Sequence, residues 1–193
     1  MGVEFKRYTL NDKSEITIRP ALMEDEQKIV ELCESVTNED YISLQATPTP
    51  LEIRQVFKFP DYFISLVTEH DGNIVGYGEI KKSPCQKKGE LRIYTHKDYR
   101  GVGLGTSMMI MLLREATYEG LQKINLMVAA VNLPAVHLFR KFGFQVYRVT
   151  GEDPLLGRRN NAIYMHRILN KETDLQCIQC NQAILCESFL IEK

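Results

Sequence analysis

The segment Arg100-Gly101-Val102-Gly103-Leu104-Gly105-Thr106 joins the end of a predicted strand to the start of an apolar helix. The amides of a first helical turn have no partner inside the helix, and the helix dipole makes that end positive. The glycines remove side chains that would block an anion, and Arg100 adds a formal charge. The segment therefore predicts a phosphate site, and its spacing differs from both the dinucleotide fingerprint and the Walker loop. Taken alone, the glycines also fit a tight strand-to-helix turn without a ligand.

Two predicted elements flank this segment. Gly89 to Thr95 is expected to be a strand, and Gly103 to Glu119 is expected to be a helix. The apolar residues of the helix form one wide stripe, which consists of Leu104, Met108, Ile110, Leu112, Leu113 and Ala116. A stripe of this width predicts a helix that is largely buried.

A second segment, Val131-Asn132-Leu133-Pro134-Ala135, follows the predicted strand Ile124 to Val128. Asn132 is a favourable N-cap residue, and proline is tolerated in a first helical turn. A helix is therefore predicted over Leu133 to Phe142, ended by Gly143. Capping accounts for this segment without any function.

The remaining elements alternate between strand and helix. The dipeptide Asp71-Gly72 between two strand-like runs predicts a β-hairpin. The predicted strands are Glu15 to Arg19, Tyr62 to Glu69, Asn73 to Lys82, Phe144 to Val149 and Ala162 to Ile168; a helix is predicted over Glu24 to Val36, and a short amphipathic piece around Leu51 to Phe57. The sum is a mixed α/β sheet with helices on both faces.

Composition indicates one domain. A chain of 193 residues with 44% apolar content can form one sizeable core. The formal net charge of -1 favours neither nucleic acid nor a membrane as partner. The start of the chain has no apolar signal segment, so a cytoplasmic protein is expected. We interpret residues 1–14 as an N-terminal extension, 15–169 as the domain and 170–193 as an appended tail.

The cysteines do not indicate a secreted disulfide framework, because they are odd in number and unevenly spaced. They are Cys33, Cys85, Cys177, Cys180 and Cys186. The three in the tail, with His166, leave a zinc site open as an alternative. Reduced cysteines on a tail used for packing or oligomer contact are preferred, so a homodimer stays open and no metal is assigned.

The pairing of the two segments resembles the GNAT superfamily of acetyl-CoA-dependent N-acetyltransferases. The first motif of that family reads Arg/Gln-x-x-Gly-x-Gly/Ala, and the second reads Asn-x-x-Ala, followed by an aromatic residue and Gly-Phe. The matching residues are Arg100, Gly103, Gly105, Asn132, Ala135, Gly143 and Phe144. The run from Asp71 to Tyr77 is also similar to the second and third strands of the family. The resemblance covers about residues 16–168, and the tail has no counterpart in it.

The resemblance implies a largely antiparallel sheet whose central strands, Glu90 to Thr95 and Ile124 to Val128, splay apart to leave a cleft for pantetheine. Backbone groups of Ile93, Tyr94 and Thr95 and the side chain of Asn132 would then hold the pantetheine arm, and the segment from Arg100 to Thr106 would hold the pyrophosphate. The implied cosubstrate is acetyl-CoA, and the implied reaction is direct attack by a primary amine in a ternary complex.

A neutral amine is needed for this attack, so a general base is expected. Glu90 is the preferred candidate and Glu79 the second, with Tyr77 and Tyr94 as alternatives. Each glutamate also fits a solvated strand residue without a catalytic role. Many members of the family carry a tyrosine acid where this chain has Phe139, which is expected to face the thioester sulfur.

The acceptor stays open between a small molecule and a protein. Its pocket is expected between residues 37–62 and the loop 151–161. The charges in these two segments give conflicting indications. The acidic residues Glu39, Asp40, Glu152 and Asp153 would attract a cationic amine. Arg158 and Arg159 would instead hold a carboxylate. Because Phe139 lacks a hydroxyl and the base is ambiguous, a non-catalytic acyl-CoA-binding module is the alternative function.

Overall fold

A computed structural model of the chain describes residues 6–35, 48–83, 87–151 and 161–170. The strands are β1 (Lys6–Thr9), β2 (Glu15–Pro20), β3 (Phe63–His70), β4 (Asn73–Ser83), β5 (Lys88–Thr95), β6 (Lys123–Ala129), β7 (Gln145–Thr150) and β8 (Ala162–Ile168). The α-helices of the described residues are α1 (Glu26–Glu34), α2 (Pro50–Lys58), α3 (Leu104–Tyr118) and α4 (Leu133–Lys141). No helix within these ranges has the length and apolar character to cross a membrane.

All eight strands of the described residues form one sheet in the order β1-β2-β3-β4-β5-β6-β8-β7. Neighbouring strands are antiparallel except β5 and β6, which run parallel. This pair is short, because only Lys88–Glu90 and Lys123–Asn125 are in register. Beyond Glu90, β5 continues beside β4, whereas β6 continues beside β8. The sheet is therefore split between two parallel strands, which confirms the expected fold class.

The predicted hairpin joins β3 to β4. His70 pairs with Asn73 across the turn. Asp71 and Gly72 both have positive φ, 48° and 77°. Two successive positive φ values characterise a type I′ turn, whose twist matches that of the flanking strands.

Helices cover both faces of the sheet, as predicted. On one face α3 packs against β3, β4 and β5 in the main core cluster, and a Cβ added to Gly78 would lie 2.7 Å from Leu112 Cδ1. This close approach explains why glycine is needed in the middle of β4. On the opposite face α1 and α2 form a second cluster, in which Ile29 and Ile53 are fully buried beside Tyr77.

The first strand was not predicted from sequence. Lys6–Thr9 pairs with β2, and Leu10 beyond it is buried in the main core. The N–H of Asn11 then donates to the carbonyl of Val102 at 2.9 Å, which ties the start of the chain to the glycine-rich segment. A four-residue edge strand with only one apolar side chain has too little periodicity to be recognised.

Candidate active site

The glycine-rich segment forms the turn from β5 into α3. Gly103 is the N-cap residue with φ 102°, and Gly101 has φ 76°. The first hydrogen bond of the helix runs from the Ser107 N–H to the Gly103 carbonyl, so the three amides before Ser107 have no partner within the helix. A Cβ added to Gly101 would meet nothing within 4 Å. The turn is therefore an open cradle with amides at its base, which suits an anion.

Arg100 closes the loop onto the end of β5. Its Nε and Nη2 atoms both lie 3.3 Å from the carbonyl oxygen of Thr95. The side chain is exposed, so its charge lies at the protein surface next to the cradle.

The second helix N-terminus stands beside the first. Asn132 caps α4, since its Oδ1 accepts a hydrogen bond from the Ala135 N–H at 3.2 Å. A Cβ added to Gly105 would lie 3.2 Å from Leu138 Cδ2, so the start of α3 packs closely against α4. Because both helices follow the carboxyl ends of parallel strands, both N-termini lie at the open end of the split.

Along the split, the edge of β5 that faces β6 has no strand partner from Leu91 to Thr95 in the described sheet. Ile93 packs against the main core, whereas Tyr94 is buried on the opposite face and stacks on Tyr77 with ring centroids 6.2 Å apart. The part that these residues offer to a ligand in the split is therefore their backbone.

Phe139 lies in the main core on α4. It is 8% exposed, and its ring is 5.9 Å from that of Phe144. The contacts of its side chain are those of a packing residue.

A cavity of about 590 Å³ lies where β5 and β6 begin to separate. It is lined by Lys81, Lys82, Ser83, Lys88, Gly89, Glu90, Asn125, Leu126, Met127, Tyr147 and Tyr164. The Glu90 side chain is 55% exposed here. Glu90 and Asn125 are also the last pair in register between β5 and β6, so the carboxylate stands at the apex of the split.

Glu79 has a different environment although it lies on the same face. The Tyr77 hydroxyl donates to its Oε2 at 2.6 Å, and Arg92 Nη1 lies 3.8 Å from its Oε1. Burial raises the pKa of Glu79, with smaller opposing effects from Tyr77 and Arg92. The pKa values of Tyr77 and Tyr94 are also raised well above the ordinary value by burial, so both phenols keep their protons at neutral pH. Neither tyrosine is suited to act as a base.

Arg92 links the two candidate glutamates and was not singled out from sequence. Its Nη1 donates to Glu52 Oε1 on α2 at 3.2 Å, and its Nη2 lies 3.9 Å from Glu90 Oε1. The register places Arg92 directly opposite Glu79. The β4–β5 register reveals this contact, and the sequence alone does not give that register because cross-strand pairing is a long-range property.

Several predictions fall outside the described residues. They concern the acceptor pocket and the tail, and the residues are Glu39, Asp40, Glu152, Asp153, Arg158, Arg159, Cys177, Cys180 and Cys186. The cytoplasmic location, the homodimer and the division into extension, domain and tail stay predictions.

A mixed sheet that splits between two parallel strands, with two helix N-termini at the open end, defines the class of protein as an acetyltransferase fold. Residues 24–144 match the acetyltransferase (GNAT) family, and the chain belongs to this family.

Two curated relatives carry N-acetyltransferase names. The chain is 36% identical over 88 residues to the SPbeta prophage-derived uncharacterized N-acetyltransferase YokL of Bacillus subtilis, an alignment that covers 44% of this chain and 49% of that protein. The alignment thus spans about half the length of this relative. The chain is 27% identical over 161 residues to an N-alpha-acetyltransferase of Sulfurisphaera tokodaii, covering 74% of this chain and 91% of that protein.

Solved structures share the fold. An acetyltransferase of the GNAT family from Streptococcus pneumoniae superposes with a TM-score of 0.72 at 22% identity, covering 80% of this chain and 99% of that one. The putative acetyltransferase yncA from Salmonella typhimurium, solved with its cofactor acetyl-CoA, superposes with a TM-score of 0.69 at 22% identity, covering 81% and 95%.

Proposed function

We propose that this protein transfers the acetyl group of acetyl-CoA to a primary amine by direct attack in a ternary complex. The observation that carries the proposal is the position of Glu90. Its exposed carboxylate stands in a cavity at the apex of the split, while the glycine-rich cradle lies at the open end of the same split.

The residues present fit acetyl-CoA. The cradle from Arg100 to Thr106 would hold the pyrophosphate, because its amides and Arg100 offer hydrogen bonds and positive charge without side chains in the way. The free edge of β5 at residues 93–95 and Asn132 would hold the pantetheine arm. The thioester supplies an activated acyl group with a thiolate leaving group.

Glu90 would take the proton of the acceptor amine, directly or through water. For a lysine-like amine with a pKa of about 10.4, loss of the proton at pH 7 costs about 4.6 kcal/mol of free energy. For an α-amine with a pKa near 8 the same step costs only about 1 kcal/mol. A positioned carboxylate lowers this cost by accepting the proton as the bond forms. The bound acceptor must therefore reach Glu90 in the cavity.

Glu79 is the weaker candidate because it is buried and already engaged. It accepts from Tyr77 and lies close to Arg92, so little of the carboxylate remains for an incoming amine. We assign it a positioning role: with Glu52 and Glu90 it holds the Arg92 guanidinium beneath the cavity.

The test is release of free CoA from acetyl-CoA with a panel of amines, followed by mass analysis of the acetylated product. Amine-dependent CoA release with an N-acetyl product is the expected result. Saturable acetyl-CoA binding without CoA release for any amine would favour the alternative, a non-catalytic acyl-CoA-binding module. An absence of acetyl-CoA binding would contradict both functions.

A further inference from the structure

We propose that the acceptor carries an anionic group, a carboxylate or a phosphate, close to its amino group, and that Lys81 binds this group. The proposal rests on the function proposed above, in which the amine reaches Glu90. It concerns a residue outside the predicted site, and it follows from the charges around the cavity.

Lys81 and Glu90 are direct neighbours across β4 and β5. Residues opposite each other in antiparallel strands have Cβ atoms about 4.5–5.5 Å apart on one face of the sheet. Both residues line the cavity. Lys81 is exposed, and within the described ranges no carboxylate lies at ion-pair distance from its ammonium group. One cavity wall thus presents a carboxylate and an ammonium group side by side.

The other charges around the cavity do not cancel that of Lys81. Lys82 forms an ion pair with Glu119, the C-cap residue of α3, and Glu90 lies 3.9 Å from the guanidinium of Arg92. Lys88 contributes a further ammonium group to the lining, and Lys123 of β6 lies over the Tyr147 ring at 5.8 Å. With Lys82 paired to Glu119, Lys81 and Glu90 are left as the neighbouring ammonium and carboxylate groups of one cavity wall.

An acceptor with only positive charges would approach Glu90 beside the Lys81 ammonium group and bring no anion to pair with it. An amine with an adjacent anion presents both signs, so its amino group can reach Glu90 while its anion meets Lys81. The far wall is formed by Tyr147, Tyr164 and Met127, which can contact an apolar or aromatic part of the same molecule. The geometry thus favours amines of the amino-acid or phosphoamine type over polyamines.

The experiment measures binding of matched amine pairs to the CoA-saturated protein by isothermal titration calorimetry. The pairs are L-phenylalanine and 2-phenylethylamine, L-lysine and cadaverine, and O-phosphoethanolamine and ethanolamine. Since a hydrogen bond to a charged group contributes about tenfold or more in affinity, the anionic member of at least one pair should bind by that factor more tightly. The pair that responds distinguishes a carboxylate from a phosphate.

In Lys81→Gln the affinities of the anionic amine and its non-anionic partner should differ by no more than about threefold. In Lys81→Glu the non-anionic amine should bind more tightly. Lys141→Gln, which changes an exposed lysine at the end of α4, should leave the preference for the anionic amine unchanged. Equal binding within every pair, a preference that survives Lys81→Gln, or no binding of any anionic amine would overturn the proposal. CoA release is followed separately: anion-dependent binding without turnover would contradict the proposed catalysis alone, and turnover without anion preference would contradict the Lys81 assignment alone.

Discussion

The Tyr77 hydroxyl donates a hydrogen bond of 2.6 Å to the carboxylate of Glu79, two residues further along the same face of β4. Both residues are buried, and the register places them opposite Tyr94 and Arg92 on β5. Glu79 is therefore enclosed by a hydroxyl group and a guanidinium, whereas Glu90 lies two residues before Arg92 and is open to the cavity. This relationship gives the two glutamates different environments, and the roles proposed for them depend on that difference.

The phosphate cradle is tested by replacing Gly103 with alanine. A side chain at φ 102° costs about 1–2 kcal/mol in unfolding free energy and narrows the approach to the amides. The rise in melting temperature that acetyl-CoA produces in the wild-type protein should be lost.

Gly120→Ala is the matched control for this variant, because Gly120 has φ 77° just after the other end of α3. It should lose similar stability in denaturant unfolding and keep the full acetyl-CoA shift. If Gly103→Ala kept the rise in melting temperature with acetyl-CoA, this loop would not be the pyrophosphate site.

The role of Glu90 is tested by Glu90→Gln. Loss of a general base should lower kcat by about 10²-fold or more at pH values below the acceptor's pKa, and by less above it, where the amine is already neutral. Acetyl-CoA affinity should stay unchanged. The control is Glu15→Gln, an exposed strand glutamate on β2, which should behave like the wild-type protein. Identical pH–rate profiles for Glu90→Gln and the wild-type protein would show that Glu90 is not the general base and would leave Glu79 or an ordered water as the candidate.

The raised pKa of Glu79 predicts a pH-dependent penalty on stability. A carboxyl group whose pKa is higher in the folded state than its ordinary value of 4.5 contributes stability that is complete below that value and is lost as pH rises through the folded pKa. The unfolding free energy of Glu79→Gln should therefore be closest to that of the wild-type protein at low pH. It should increase relative to the wild-type value as pH rises. The amide oxygen of the variant can still accept from Tyr77.

This prediction is measured as the difference in unfolding free energy between the two proteins over a pH series. Taking the difference cancels titrating groups that do not interact with Glu79, such as Asp25, whose pKa is lowered by Arg19 although burial opposes this. Parallel pH curves would show that the Glu79 carboxyl titrates normally in the folded protein.

Phe139 provides a test of the leaving-group step. Phe139→Tyr should keep or increase turnover, because it adds only a hydroxyl that could protonate a leaving thiolate. Phe139→Ala should lose about 3–5 kcal/mol of unfolding free energy, since it leaves a cavity beside Phe144. Turnover and denaturant unfolding of both variants check these outcomes. A severe loss of turnover in a stable Phe139→Tyr protein that binds acetyl-CoA normally would show that the site requires an apolar group there.

The sequence by itself determined the elements around the cradle. The helical stripe from Leu104, the Asp71-Gly72 turn and the Asn132 cap each depend on contacts between residues close in the chain, so their signals are local. The family resemblance then implied the split between β5 and β6, which the register confirms. The strand Lys6–Thr9 gave no such signal, since its pairing with β2 alone makes it a strand.

The tertiary structure decided which side chains share an environment. Glu79 and Glu90 are both strand glutamates in the sequence, but their burial depends on α1 and α2 packing over one end of β4 and on the exact β4–β5 register. A shift of one residue in that register would place Arg92 and Lys81 opposite other partners and move every side chain to the other face. Long-range pairing therefore assigned Glu79 to a buried network and placed Glu90 beside Lys81 in an open cavity.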